Sequence, residues 1–195
     1  MALVQEIISK ATIELKNKNI QSARLDAEIL LSTVLKAQRL DLVLKENQNV
    51  DFEEEQLFNQ LLDQRKNNEP IAYIIKNKSF WNEDYYIARG ALIPRPETEI
   101  LIEMIVKKIN NRKKNLNILD IGCGSGCLLI SLLKEFSNSR GVGLDISKQA
   151  LEICKKNISK YNLHHRTRLM HGDMNKVKIV NKFDIIVSNP PYLKN

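Results

Sequence analysis

The chain has 195 residues, 43% of them apolar, with a net charge of +7 and a pI near 9.3. That length holds one domain or two small ones with an ordinary core, and neither an apolar run of membrane-spanning length nor a basic, cleavable leader occurs in it, so no membrane partner and a cytoplasmic location are expected. The positive charge permits an acidic partner such as RNA, but Lys and Arg are scattered apart from Arg112-Lys113-Lys114 and Lys155-Lys156, a pattern that solvated helix faces explain.

Residues 2 to about 66 read as helical. Val4, Ile7, Ile8, Ala11 and Leu15 recur at helical spacing, and Ala27, Leu30, Leu31, Val34 and Leu35 repeat it after Ser22, a predicted cap. Asp51 with Glu54 is a predicted capping pair for a third helix that buries Leu57, Phe58, Leu61 and Leu62. Arg24, Asp26 and Glu28 interrupt the apolar pattern and read as a solvated face with local ion pairs. A helical domain over residues 1–68 is expected.

From residue 69 to 93 the pattern changes. Tyr73, Ile74, Ile75, Phe80, Trp81, Tyr85, Tyr86, Ile87, Leu92 and Ile93 fall in short runs divided by Asn, Asp and Gly, which predicts a β-hairpin linking two domains. IPRPETE (Ile93–Glu99) follows; two prolines stiffen the chain, and Glu97 and Glu99 suit the positive end of a helix carrying Leu101, Met104 and Ile105. Alone, it reads as an ordinary helix start.

LNILDIGCGSG (Leu116–Gly126) reads as a buried parallel strand breaking into a glycine loop, with a helix behind it that buries Leu128, Leu129, Leu132 and Leu133. Gly122, Gly124 and Gly126 let the backbone approach a ligand, and Asp120 stands at the strand's carboxyl end, where open α/β sheets bind ligands. The G-x-G-x-G spacing is neither a dinucleotide fingerprint nor a P-loop, and by itself it is equally a plain strand-to-helix turn. RGVGLD (Arg140–Asp145) is a second strand ending in an acid, about 20 residues on, where a carboxylate can accept ribose hydroxyls. LMHGD (Leu169–Asp173) is a third, and FDIIV (Phe183–Val187) a fourth that runs into Ser188-Asn189-Pro190-Pro191-Tyr192. An N-P dipeptide alone is a turn signal. Cys123, Cys127 and Cys154 lack a C-x-x-C pair and His164, His165 and His171 lack metal-ligand spacing, so no disulfide framework or metal site is expected, and the cysteines read as small buried residues.

Asp120, the Gly122-Cys123-Gly124 loop with Gly126, Asp145 and Asp173 resemble the S-adenosylmethionine site of a class I methyltransferase. The resemblance implies that the loop faces the methionine part, that Asp145 holds the ribose, and that Asp173 with the Met174 backbone borders the adenine. It also gives Asn189-Pro190-Pro191-Tyr192 a catalytic meaning. An amide or aromatic amino nitrogen is a poor nucleophile because its lone pair is delocalised. The Asn189 side-chain oxygen and the Pro190 carbonyl can accept its hydrogens and aim the lone pair, with Tyr192 packing on the flat group.

The order of a helical N-terminal domain, EPIAYI (Glu69–Ile74), LIPRPETE (Leu92–Glu99), DIGCGSG and NPPY resembles the HemK/PrmC family, which methylates glutamine in the Gly-Gly-Gln motif of peptide chain release factors. By that resemblance Asn189, Pro190, Pro191 and Tyr192 hold the glutamine amide, Arg95, Pro96, Glu97 and Thr98 border the substrate, and the helical domain helps engage the release factor. The implied fold is α/β: a Rossmann-like class I methyltransferase domain over residues 94–195, preceded by the helical bundle and a hairpin linker at 69–93. The family's usual glycine after the Tyr-Ile pair is replaced in Tyr73-Ile74-Ile75-Lys76-Asn77. Family members continue beyond NPPY, so the domain is expected to be incomplete at Asn195, with the fourth strand an uncovered edge in the order 3-2-1-4. Two other readings stand beside this one: an amino-methyltransferase acting on adenine in nucleic acid, and an inactive cofactor-binding fragment. Release factors are the expected partners, direct nucleic-acid binding is permitted but not required, and a complete fold is expected to be a monomer.

Overall fold

The computed structural model describes residues 2–177 and 182–190. The chain forms two compact units, Met1–Ile75 and Lys76–Asn195. The segment at 69–93, read from sequence as a linker, is shared between them.

The first unit is helical: α1 (Val4–Asn17), α2 (Ala23–Val34), the short α3 (Asp41–Leu44), α4 (Phe52–Lys66) and a single turn, α5 (Ile71–Ile74). The 3.6-residue repeat puts Val4, Ile7, Ile8, Ala11 and Leu15 on one stripe of α1, and they pack with Ala27, Leu30 and Leu31 of α2 and Phe58 and Leu62 of α4. The predicted capping pair opens α4: the Glu54 N–H donates to Asp51 Oδ1 at 2.7 Å and the Asp51 N–H to Glu54 Oε2 at 3.2 Å. A cap of this kind contributes about 1 kcal/mol.

Three residues of this unit depart from the expected pattern. Leu57 is exposed, because it stands one residue off the stripe that carries Phe58 and Leu62. Ser22 precedes α2 without capping it, since its hydroxyl donates to Asp26 Oδ2 at 2.9 Å. Asp26 is not on a solvated face: it is 4% exposed and accepts from Arg65 Nε of α4 at 2.7 Å. Arg24 and Glu28 do form the local pair, joined by Arg39.

The second unit opens with an antiparallel hairpin of β1 (Asn77–Phe80) and β2 (Glu83–Tyr86), registered Asn77 with Tyr86 and Phe80 with Glu83. Just before it, Lys76 takes a φ of 53°. That left-handed backbone is the one a glycine adopts without strain, and the hairpin forms with lysine there instead. A 3₁₀ turn (Pro96–Thr98) leads into α6 (Glu99–Lys108), whose buried residue is Ile102, while Met104 is exposed and Leu101 and Ile105 are half-buried. The stripe of α6 is thus centred one residue away from the expected positions.

Next come β3 (Asn117–Ile121), α7 (Cys127–Glu135), β4 (Arg140–Asp145), α8 (Lys148–Lys160), β5 (Thr167–His171) and β6 (Ile185–Ser188). The four strands are parallel in the order β5-β4-β3-β6, the expected 3-2-1-4. Within the described sheet β6 is an edge strand, and its Ile186 is 62% exposed. The hairpin packs on the helices: Tyr85 is fully buried with its hydroxyl 2.8 Å from Ser131 Oγ of α7, and the Tyr161 hydroxyl beside α8 donates to Asp84 O at 2.6 Å.

Breaking the buried Asp26–Arg65 pair from one side leaves an uncompensated guanidinium, and such losses cost roughly 3–5 kcal/mol when the partner stays buried. Asp26→Ala is expected to lower stability by about 3 kcal/mol, read in urea unfolding as a lower midpoint at unchanged slope. The Asp26→Ala, Arg65→Met double variant recovers part of the loss. A midpoint within experimental error of the parent would show that the pair carries no net stability.

Candidate active site

The carboxyl ends of β3, β4 and β6 meet at the glycine loop. Parallel pairing sets Ile121 level with Leu144 and Ser188, so the residues after each strand emerge side by side. The Gly122 and Cys123 N–H groups both donate to Leu144 O, at 2.8 and 3.1 Å. Gly122, Gly124 and Gly126 all have positive φ, 71°, 55° and 79°. Their surroundings differ. A Cβ on Gly126 would stand 2.4 Å from Cys154 Sγ of α8, so this glycine is required for helix packing. A Cβ on Gly122 would meet nothing within 4 Å, and on Gly124 only Gly122 O at 4.0 Å; these two present bare backbone to open space.

Two carboxylates flank the loop in contrasting states. Asp145 accepts from the Gly124 N–H with Oδ2 at 2.8 Å and from the Ser147 N–H with Oδ1 at 2.9 Å, which ties the loop to the start of α8. Each oxygen retains a lone pair for a further donor. Asp120 is 2% exposed and its Oδ2 has no partner. Burial pushes its pKa up to about 7; a backbone hydrogen bond from Leu129 works against that shift and the neighbouring charge of Asp145 adds to it. The cysteines are buried, as expected. The adjacent Cys154 thiol and burial raise the Cys123 pKa, and burial pushes Cys127 up to about 12, so neither is a nucleophile near neutral pH.

Asn189 follows β6 directly, and its Nδ2 donates to Thr98 Oγ1 at 2.9 Å. Both residues line a small cleft with Asp120, Gly122, Cys123 and Gly124. The structure therefore joins two sequence motifs lying 91 residues apart. Arg95, Pro96 and Glu97 are exposed on the turn ahead of Thr98, and Pro190 is exposed beyond Asn189. Asp173 stands two residues past β5, and Asn175 donates its N–H to Asp173 Oδ1 at 2.9 Å; Met174 is exposed beside it. Neither belongs to the cleft's lining. Pro191 and Tyr192 lie outside the described residues. A larger cavity of 680 Å³ opens at the opposite end of the strands, where Asn117, Arg140, Thr167 and Phe183 line it, and contains none of the predicted site residues.

Sequence reasoning passed over Asn157. It is fully buried on α8, where its Nδ2 donates to Ser125 O of the glycine loop and to Tyr86 O, both at 2.9 Å, and its Oδ1 accepts from the Tyr86 N–H at 2.7 Å. One amide thus joins helix, hairpin and loop. A signal was present: an asparagine shares the helical stripe of Ala150, Ile153, Cys154 and Ile158, and a polar residue on such a stripe has internal partners.

Among known proteins, residues 6–75 match the family of PrmC N-terminal domains and residues 96–195 match the methyltransferase small domain family. The release factor glutamine methyltransferase of Clostridium botulinum is 36% identical over 194 residues, which is 98% of this chain and 68% of that protein. The protein of the same name from Buchnera aphidicola is 39% identical over 178 residues, 91% of this chain and 63% of that protein. A bifunctional methyltransferase of Rickettsia prowazekii is 34% identical, covering 98% of this chain and 40% of its own length. The chain thus spans about two thirds of the first two relatives and less than half of the third. A solved structure of a Methanococcus maripaludis protein described as an S-adenosyl-L-methionine-dependent methyltransferase aligns with TM-score 0.41 at 36% identity, over 46% of this chain and 40% of that one.

Two measurements follow from the geometry. Because the Asp120 carboxyl binds its proton more tightly folded than unfolded, this group's contribution to stability is present below its unfolded pKa near 4 and is lost as pH rises towards 7. Asp120→Asn is expected to abolish that slope and to be more stable than the parent at pH 8 by roughly 2–4 kcal/mol; identical pH profiles of unfolding would contradict the assignment. Asn157→Ala leaves Ser125 O and both Tyr86 backbone groups without their partner, and a loss of about 3 kcal/mol is expected in thermal or urea unfolding. A loss below about 1 kcal/mol, the scale of one ordinary net hydrogen bond, would mean that water replaces the amide.

Proposed function

The chain belongs to the release factor glutamine methyltransferase family, and we propose that it methylates the side-chain nitrogen of the glutamine in the Gly-Gly-Gln motif of a peptide chain release factor, with S-adenosylmethionine as donor. The observation that carries this reading is the delivery of Asn189 by β6 into the cleft that holds Asp120 and the Gly122–Gly124 backbone.

The residues present fit that donor. Asp120 Oδ2 is buried and unpartnered, Gly122 and Gly124 leave a cradle that side chains would fill, and Asp145 has lone pairs left for the two ribose hydroxyls. Asp173 and the Met174 backbone would border the adenine. S-adenosylmethionine supplies, when bound, an electrophilic methyl group on a sulfonium. The chain's own task is positional. Asn189 Oδ1 and the Pro190 carbonyl accept the two hydrogens of the glutamine amide and turn its lone pair towards the donor, while Arg95, Pro96, Glu97 and Thr98 line the approach. Pro191 and Tyr192 complete the motif by family resemblance. The proposed substrate places the activity in the cytoplasm, and the helical unit is assigned to release-factor contact.

The net charge of +7 favours one other substrate, an adenine amino group in nucleic acid. Methyl incorporation into a release factor and into RNA or DNA, measured side by side, decides between the two. Asn189→Ala is expected to lower kcat on the release factor by about 100-fold or more, with affinity for S-adenosylhomocysteine nearly unchanged by calorimetry. Asp145→Ala does the reverse, losing the cofactor. Equal losses of cofactor binding in both variants would remove Asn189 from the role of substrate acceptor.

A further inference from the structure

We infer that Thr98 is a positioning residue that anchors the Asn189 side-chain amide with its oxygen free for the substrate. The inference rests on the reading of Asn189 as the acceptor for the glutamine nitrogen. An asparagine amide is nearly symmetric in shape and opposite in chemistry at its two ends: the oxygen accepts, the nitrogen donates twice. A substrate amide nitrogen also carries only donors at its hydrogens. If Asn189 turned its NH₂ towards that nitrogen, donor would face donor, and the lone pair would not be aimed. Catalysis therefore requires something that holds the NH₂ elsewhere.

Thr98 Oγ1 does this by accepting from Asn189 Nδ2 at 2.9 Å. With that nitrogen held by the protein, Oδ1 is the end left for the substrate; a threonine hydroxyl also donates, so the bond anchors the amide and the substrate's own N–H donors complete the choice of end. Both partners are themselves fixed. Thr98 is 7% exposed and closes the 3₁₀ turn begun by Pro96, where its N–H donates to Arg95 O at 3.0 Å. The proline ring restricts the backbone of that turn. On the other side, Ser188 pairs in register with Ile121 and its Oγ donates to Ile121 O at 2.8 Å, which anchors the residue before Asn189 to the central strand. The PRPET stretch thus has a task beyond bordering the substrate: it supplies the acceptor that anchors the catalytic amide.

Thr98→Val keeps the side-chain shape and removes the hydroxyl; Thr98→Ser keeps the hydroxyl. Thr98→Val is expected to lower kcat on a release factor by about 10- to 100-fold, with KM for the release factor and affinity for S-adenosylhomocysteine each within about twofold. Thr98→Ser is expected to recover most of the turnover. An independent readout is the Asn189 side-chain NH₂ pair in ¹⁵N-resolved NMR, assigned by its disappearance in Asn189→Asp. In the parent and in Thr98→Ser one proton of the pair is shifted and slow to exchange, and in Thr98→Val it moves to the free-amide position and exchanges faster. Unchanged kcat together with an unchanged NH₂ pair in Thr98→Val overturns the inference. If the parent methylates no release factor, the functional reading fails, and the NMR comparison alone decides whether Thr98 anchors the amide.

Discussion

The amide of Asn157 is the point on which the second unit's layers depend. A hairpin, a helix and a glycine loop do not satisfy each other's backbone polar groups by packing alone, and every buried N–H and C=O needs a partner. Asn157 supplies three such bonds from one side chain: two to Tyr86 in the hairpin and one to Ser125 in the loop. The hairpin therefore adds to the side on which the loop rests. Tyr85 and Ser131 extend the same junction onto α7, and Trp81 Nε1 donates to Glu135 Oε1 at 2.7 Å at that helix's far end. Aromatic residues that read from sequence as a linker are thus the packing layer behind the glycine loop.

With the loop held from behind, its front is left polar and unsatisfied. Each Asp145 oxygen accepts one backbone N–H, and its cost of partial burial is offset by those bonds. Asp120 differs: one of its oxygens is buried without a partner, and burial raises its pKa. A donor brought to that oxygen would relieve a burial cost already present in the fold. The two glycines with bare φ-positive backbone belong to the same logic, since a side chain there would occupy the space in which the relieving group must lie.

Much of this was legible in the sequence. The strands and helices were legible from their repeats, the parallel order 3-2-1-4 came only with the family resemblance, and the capping pair at Asp51 and Glu54 depends on residues three apart. Contacts between distant residues were not legible. Asp26 looked solvated because its partner, Arg65, lies 39 residues along the chain on another helix. Asn157 meets Tyr86 across 71 residues, and Asn189 meets Thr98 across 91. Periodicity reports which face of an element is apolar; it does not report which polar side chain on another element will meet it. Family resemblance put Thr98 and Asn189 in one site, but only the structure gives the bond between them.

That bond also explains why the fourth strand matters more for its register than for its length. β6 has four residues and pairs on one side within the described sheet, yet it fixes Ser188 opposite Ile121 and so sets Asn189 level with Gly122. Side chains on a strand alternate faces, so a slip of one residue would exchange the buried Val187 with the exposed Ile186 and carry Asn189 away from Thr98. Apolar burial of Val187 on one face and the Ser188 hydroxyl on Ile121 O both oppose that slip. The position of the proposed catalytic amide is thus set by the alternation of β6, and the amide is anchored by a hydroxyl from the turn before α6. These are separate constraints from separate parts of the chain.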